Sequence, residues 1–334
     1  MATAPVRIAD CGGWTDTWFA DRGAVCNVAA GPGVHVEATY EPSEPFTVSL
    51  DLPSAGGCYS YDVHAPARNR LVEKAIAVHG PLSGALTIAI RSAVPPGCGT
   101  GTSACVAVAL IGALRALCGE PVVPAAVAQM AHELETMHLG QQSGVQDQWA
   151  AALGGAHLLK IDDYPVVTPI AINVSDHTWA ALEQRLITVW LGRPHDSSTI
   201  HSQVIAELES GDVTRRLEPL RRAAFDAAHA LADDDLVGYG AALTANNEAQ
   251  RSLSPALIGA DAQRAIDTVR SYGALGWKVN GSGGNGGTLT VLCTSNSTDV
   301  AAALADAGYE TLAPVPTRHG LTVQSVATQG VPHG

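Results

Sequence analysis

Along the first ninety residues, apolar and polar positions alternate in short runs rich in β-branched side chains. Gly23–Tyr40 (GAVCNVAAGPGVHVEATY) reads as strand broken by a Gly31-Pro32-Gly33 turn, and Phe46–Leu52 and Leu86–Ile90 read as further strands. Arg68–His79 instead spaces Leu71, Ala75 and Val78 as one face of a helix. Beyond a Pro- and Gly-rich loop at 94–102 the pattern turns helical over Ser103–Cys118, Pro124–Met137 and Val145–Leu153, with Pro124 suited to a first turn. Strand patterns return at Ala156–Ile161, Val166–Ile172 and Leu186–Leu191. Alanine-rich helical stretches follow at Ser202–Leu208, Val213–Ala232, Asp234–Asn246 and Ala260–Tyr272. The chain finishes with strand Thr288–Cys293, helix Asp299–Ala307 and a last strand, Leu321–Val326. Strands crowd the first part and helices the second, without βαβ alternation, which predicts an α+β fold rather than a doubly wound sheet. No repeat or long linker interrupts the pattern. A length of 334 residues suits two domains, and the pattern divides them at 1–180 and 181–334.

Composition sharpens this picture. The chain is 46% hydrophobic but only 5% aromatic, so Ala, Val and Leu must fill the core. Net charge is −13, and the basic residues cluster no further than Arg215–Arg216 and Arg221–Arg222. That balance argues against a nucleic-acid partner. Seven cysteines, an odd number with no C-x-x-C pair, argue against a disulfide framework or a zinc site and fit a reducing cytoplasm. The longest apolar run, Ala104–Leu114, stops at Arg115 and is too short to span a bilayer, so no membrane partner is expected. His132 and His138 stand six apart and on different helix faces, which is not the spacing of a zinc-binding helix.

Three glycine-rich elements carry the candidate chemistry. The central one is Pro95-Pro96-Gly97-Cys98-Gly99-Thr100-Gly101-Thr102-Ser103, which runs straight into an apolar helix. Glycines allow close backbone approach, and the first N–H groups of the helix form an anion site. It lacks the lysine of a Walker loop and the spacing of a dinucleotide fingerprint. The first element, Arg7-Ile8-Ala9-Asp10-Cys11-Gly12-Gly13-Trp14-Thr15-Asp16-Thr17, has a strand-like start, a double-glycine turn and polar groups able to hold hydroxyls. The third, Lys278 to Gly287 (KVNGSGGNGG), lies between a helix and a strand. Taken singly, each also fits a plainer reading: a helix cap, a hairpin, a flexible turn.

Together and in this order, the three elements resemble the signature motifs of the GHMP kinases. The central motif resembles P-x-x-x-G-L-G-S/T-S-A, met by Pro95–Ala104 with Thr100 in place of Leu. Lys278–Gly286 is similar to K-L-x-G-A-G-G-G-G, and Ser143-Gly144-Val145-Gln146-Asp147-Gln148 to the segment carrying the catalytic aspartate. The R-x-x-x-x-G-G-W-T-D-T of the first element resembles the fucokinase and heptose 7-phosphate kinase branch.

The resemblance implies an N-lobe like ribosomal S5 domain 2 and a ferredoxin-like C-lobe with ATP between them. It implies transfer of the γ-phosphate to a hydroxyl of a sugar or sugar phosphate, heptose- or fucose-like, with the anomeric hydroxyl one option. ATP would lie on Pro96, Gly97, Cys98, Gly99, Thr100, Gly101, Thr102 and Ser103, and magnesium on Ser103 and Glu135. Asp147 would be the base or would orient the acceptor hydroxyl, and Arg7 would stabilise the alkoxide or the moving phosphoryl group. Asp16, with Gly12, Gly13, Trp14, Thr15, Gly283 and Gly284, would hold the acceptor. A cyclitol or specialised-metabolite kinase, or a non-catalytic ligand-binding protein of the same fold, stays open beside this reading. So do the choice of ATP or GTP, and monomer or homodimer. Where the family often carries Arg, this sequence has His195, within Gly192-Arg193-Pro194-His195-Asp196-Ser197-Ser198, which leaves the acceptor unnamed.

Overall fold

A computed structural model describes residues 1–20, 22–42, 46–61, 67–194, 198–295, 297–312 and 314–325. The chain opens with strands β1 (Ala2–Cys11), β2 (Gly23–Glu41), β3 (Thr47–Leu52) and β4 (Gly57–Tyr61), helix α1 (Arg70–His79) and strand β5 (Ala85–Ser92). Helices α2 (Thr102–Leu117), α3 (Pro124–Glu133, prolonged by a π-helical turn over Leu134–His138) and α4 (Gln146–Leu153) follow. Then come β6 (Ala156–Asp163), β7 (Val166–Ala171), α5 (Asp176–Arg185), β8 (Leu186–Trp190), α6 (Ser198–Glu209), α7 (Val213–Ala232) and α8 (Leu236–Leu253). After a 3-10 turn at Pro255–Leu257, α9 (Ala260–Ser271), β9 (Gly276–Val279), β10 (Thr288–Leu292), α10 (Thr298–Asp306), β11 (Glu310–Leu312), β12 (Val315–Pro316) and β13 (Thr322–Val323) complete the described chain.

Two sheets organise these elements. The first runs β13-β1-β2-β5-β3-β4, with β6 and β12 also on β2 and β7 on β6. The second runs β11-β8-β10-β9, all antiparallel. Its chain order of strand, helices, two strands, helix and strand makes it the ferredoxin-like lobe. The expected α+β, two-lobed architecture is therefore the observed one.

Helix α2 is apolar nearly all round and buried from Ala104 to Leu114 except at the half-buried Val106, as a helix enclosed on almost every side must be. The scarcity of aromatics is met by alanine. Ala223, Ala224 and Ala227 of α7 are sealed into the core that also holds β1 and β2. That close approach explains Gly12: at φ +96° an added Cβ would lie 1.9 Å from the carbonyl oxygen of Ala24 and 2.8 Å from Ala224 Cβ.

Several expectations need correction. Gly31-Pro32-Gly33 does not end a strand, because β2 runs unbroken for 19 residues. Its first half pairs β6 and its second half pairs β5, so the Gly-Pro-Gly stretch marks an irregularity between two pairings. The 180/181 boundary falls inside α5, and β12 and β13 return to the first sheet, on β2 and β1. The last strand is two residues long, and Val326 lies outside the described residues.

A buried polar chain ties the second sheet to the first. Thr288 Oγ1 donates to the carbonyl of Cys98 at 2.8 Å and accepts from Asn280 Nδ2 at 2.9 Å. Asn280 Oδ1 accepts from Thr290 Oγ1 at 2.8 Å and from Ala9 N at 3.3 Å. Asn280 thus joins β1 to β10 and is itself sealed from solvent. Thr288→Val should strip Cys98 O and Asn280 Nδ2 of their partner and cost roughly 1–3 kcal/mol, read as a lower midpoint in urea unfolding with an unchanged slope.

Candidate active site

The central glycine loop takes its shape from positive φ at Gly97, Gly99 and Gly101 (+77°, +71° and +74°), which glycine alone adopts without penalty. Gly101 is the N-cap of α2 and supplies no side chain to cap it, so the first N–H groups of a 16-residue helix are left for an anion. Pro96, Gly97 and Ser103 are exposed along this loop, while the side chains of Cys98 and Thr100 are buried beneath it. Those two residues therefore present only backbone to a ligand. An added Cβ at Gly101 would meet Asp147 Cγ at 2.9 Å, so the loop rests directly against Asp147.

Asp147 lies in the first turn of α4 and is fixed by Arg7, whose Nε donates to Asp147 Oδ1 at 2.8 Å. Arg7 also donates to Asp10 Oδ1 at 3.3 Å and to the carbonyl of Gly99. Burial works against the charge on Arg7, but Asp10 and Asp147 outweigh it and hold the guanidinium above its ordinary pKa. Asp10 is wholly buried and receives a second cation, Lys278 Nζ, at 3.1 Å. The ammonium spends its remaining donors on the carbonyls of Val279 (2.6 Å) and Gly281 (3.4 Å). Burial lowers the Lys278 pKa, against Asp10. Lys278 thus builds the third glycine turn from beneath and is out of reach of a phosphate. Asp10 was not singled out from sequence. The alternation of a strand would set residues 7 and 10 on opposite faces, but Ala9 stands at φ +54° and the β1–β2 register slips between Ile8 and Cys11. That bulge brings Asp10 round to Arg7.

Glu135 lies in the π-helical turn, a feature frequent at functional sites. Its Oε2 accepts from Ser143 Oγ at 2.8 Å and Gln148 Nε2 at 2.6 Å. Burial lifts its pKa to about 7; Ser143, Gln148 and the nearby Ser103 hydroxyl oppose the lift and Asp147 adds to it. A buried carboxylate that resists its own charge, beside a hydroxyl at a helix N-terminus, is a donor set suited to a hard divalent cation. Among the described residues no three His, Cys, Asp or Glu side chains gather as a metal site. Magnesium needs no such cage, since it is usually held by one or two carboxylates plus phosphates and water.

On the other side of Asp147 opens a cavity of about 220 Å³ whose lining includes Arg7, Trp14, Asp16, Asp147 and His201. Asp16 Oδ2 accepts from Gln146 N at 3.0 Å and so caps α4. Burial raises Asp16 to about pKa 6; the Gln146 N–H opposes this and Asp147 adds to it. Trp14 sits at φ +78°, an unusual conformation for a bulky residue. It is held there by Nε1 donating to Ser282 O at 3.0 Å and by edge contact with His201.

Arg7, Asp16, Trp14 and Asp147 are thus brought together at the cavity, with Ser103 and Glu135 nearby, Glu135 bonded to the cavity's Ser143. The other residues expected to hold the acceptor do not line this cavity. Gly12 and Thr15 are buried in the turn, with Thr15 Oγ1 bonded to Gly12 O (2.7 Å) and Ala24 N (3.0 Å). Gly13 faces Gln146 and Asp10. Gly283 and Gly284 pack against Leu257, and the third turn reaches the cavity through Gly281 and Ser282. Ser143 and Gln148 lie in the segment similar to the one carrying the catalytic aspartate, but the resemblance gives them no role, whereas Trp18, Phe19 and Ile205 enter the site without a sequence signal, brought in by packing. His195 lies outside the described residues. No helix of the described residues is long and apolar enough to cross a membrane.

A two-lobed α+β chain with a glycine loop at a helix N-terminus and an arginine-clamped aspartate beside it has the fold of small-molecule kinases. Residues 68–155 match the model of the GHMP kinases N terminal domain. The chain is 28% identical over 248 residues to the mevalonate kinase of Thermococcus sibiricus, covering 72% of this chain and 70% of that protein. It is 22% identical over 297 residues to the D-glycero-alpha-D-manno-heptose 7-phosphate kinase of Campylobacter jejuni, covering 84% and 86%. The solved structure of a D-glycero-D-manno-heptose 1-phosphate kinase from Bacteroides thetaiotaomicron superposes with a TM-score of 0.77 at 19% identity, over 98% of this chain and 99% of that one. Residues 68–155 thus match a GHMP kinases N terminal domain, and the chain as a whole shares the fold of these kinases.

The state of Glu135 can be read from stability. Its pKa is about 7 when folded, against an ordinary 4.5, so the folded protein binds more protons between those values and loses stability as pH rises through that window. Glu135→Gln keeps an acceptor for Ser143 and Gln148 and removes this penalty. In chelator, the variant should melt level with wild type near pH 5 and several degrees above it at pH 8. A melting difference that stays constant between pH 5 and pH 8 would contradict the raised pKa.

Proposed function

We propose that this chain is an ATP- and magnesium-dependent kinase that phosphorylates a hydroxyl of a small sugar-like polyol. The observation that carries this reading is Asp147, clamped by Arg7 between the glycine loop and the acceptor cavity. Phosphoryl transfer demands little covalent chemistry of a protein. It demands that nucleophile and phosphate be aligned and the charge neutralised.

A second cavity of about 250 Å³ supports the nucleotide side of the reading. Leu52, Leu71, Val72, Ile90, Val94 and Val106 give it an apolar lining, and it borders Gly97, Thr102 and Ser103. A purine base fits such walls, with its phosphates running along the loop onto the α2 N-terminus. The residues present fit magnesium: Ser103 and Glu135 would hold it, and it would neutralise charge on the transferring phosphate. Asp147 would accept the hydrogen bond of the acceptor hydroxyl and take its proton as that oxygen bonds to the γ-phosphorus and the bond to the bridging oxygen breaks, releasing ADP. Arg7 is a positioning residue in this scheme, because its donors are directed at Asp147, Asp10 and the loop carbonyl of Gly99. The relatives are named for mevalonate and heptose phosphate acceptors, so a sugar, sugar phosphate or cyclitol all fall within the reading.

Magnesium-dependent ADP release over free sugars, sugar phosphates and cyclitols tests it. Asp147→Asn should lower kcat on the active acceptor by about 10²–10⁴-fold, with the apparent affinity for ATP within threefold of wild type. Failure of the wild-type protein to bind ATP with magnesium would overturn the proposal.

A further inference from the structure

The acceptor cavity differs in character from the phosphate-binding side of the site. Its outer wall is apolar: Trp14, Trp18, Phe19 and Ile205 stand together, with Trp18 and Phe19 in edge contact at 5.0 Å between ring centroids. Its polar lining is made of groups that accept from hydroxyls or share hydrogen bonds with them, namely Asp16, Asp147, Gln142, Ser143 and Gln146. An aromatic face backed by carboxylates and amides matches a ring with C–H groups on one face and hydroxyls round its edge.

Positive charge is committed elsewhere. Among the described lining residues the basic side chains are Arg7 and His201. Arg7 is 3% exposed and directs its donors at Asp147, Asp10 and Gly99 O. His201 engages the carbonyl of Gly283 at 3.1 Å, and burial keeps its imidazole below its ordinary pKa, which favours the neutral ring. Lys278 lies beneath the third turn, fully buried. The N-terminus of α4 opens on the cavity, but Asp16 already caps it with a carboxylate oxygen. Among the described residues, a phosphate or carboxylate on the acceptor would thus sit beside Asp16 and Asp147 with no uncommitted cation, a costly arrangement for a desolvated anion.

We propose that the acceptor is an uncharged ring polyol, a free monosaccharide or a cyclitol, and that this cavity discriminates against acceptors already carrying a phosphate or carboxylate. The inference rests on the kinase reading above and narrows it.

The test compares matched pairs with the wild-type protein, ATP and magnesium: L-fucose and L-fucose 1-phosphate, D-mannose and D-mannose 6-phosphate, D-galactose and D-galactose 6-phosphate, myo-inositol and its 1-phosphate. D-glycero-D-manno-heptose 7-phosphate and mevalonate are run alongside. ATP binding is measured separately, and acceptor binding is followed by the fluorescence of Trp14 and Trp18. The expected result is a neutral compound whose kcat/KM exceeds that of its phosphorylated partner, the heptose phosphate and mevalonate by at least tenfold. Preference for any anionic acceptor would overturn the inference and leave the kinase reading intact. Normal ATP binding with no neutral compound turned over would also overturn it. Loss of ATP binding would remove the kinase reading itself, and the inference with it.

Discussion

The active site hangs on one chain of buried charge: Lys278, Asp10, Arg7, Asp147. Its first two members are sealed from solvent, and each charge is neutralised by the next. The chain crosses the molecule, from β9 in the second sheet through the bulged end of β1 to the first turn of α4. Removing one member of a buried pair strands the other, typically at a cost of about 3–5 kcal/mol. The chain is therefore a weak source of net stability but a strong constraint on arrangement. The docking of the lobes satisfies Asp10 on both sides, and it also sets Asp147 against the glycine loop.

The carboxylates outside that chain are left in tension. Burial lifts Asp16 to about 6 and Glu135 to about 7, and Asp147 adds to both. Three acids share a small volume in which Arg7 is the nearest balancing charge. A divalent cation held by Ser103 and Glu135, as proposed, would relieve that repulsion and favour the ionised form of Glu135. The same arrangement costs stability in the metal-free protein, a common trade at sites preorganised for charge.

Helices were legible where their periodicity is strong and local: α7 was read residue for residue, and α2, α9 and α10 to within a residue or two at either end, whereas α8 was read seven residues short at its C-terminal end. The three glycine elements were legible because positive φ and close backbone approach demand glycine at Gly97, Gly99, Gly101 and Gly12. What escaped depends on long-range pairing. Asp10 was invisible as the hub because a single positive φ at Ala9 reverses the strand's alternation. Thr15, Gly283 and Gly284 looked like ligand contacts because polar or glycine turns near a site read alike whether they face a ligand or brace the turn. The short strands β4 and β11 carry too little pattern to stand out, and their pairing with β3 and β8 defines them.

The site also separates its two tasks between different parts of the chain. The glycine loop, Ser103, Glu135 and Asp147 all lie within residues 68–155, the span that matches the family's N-terminal domain. The acceptor wall is assembled otherwise. Trp14 and its neighbours come from the turn after β1, Ile205 and His201 from α6, and Gly281 and Ser282 from the turn between β9 and β10. Trp14 bridges them, bonded to Ser282 and set edge-on to His201. In the proposed reading the phosphate-handling residues come from that one stretch. The cavity wall draws on three further segments, two of which adjoin Asp10 and Lys278, so they are tied to the charge chain that fixes Asp147. The proposed preference for neutral acceptors accordingly rests on the aromatic wall that Trp14, Trp18, Phe19 and Ile205 form against this fixed frame.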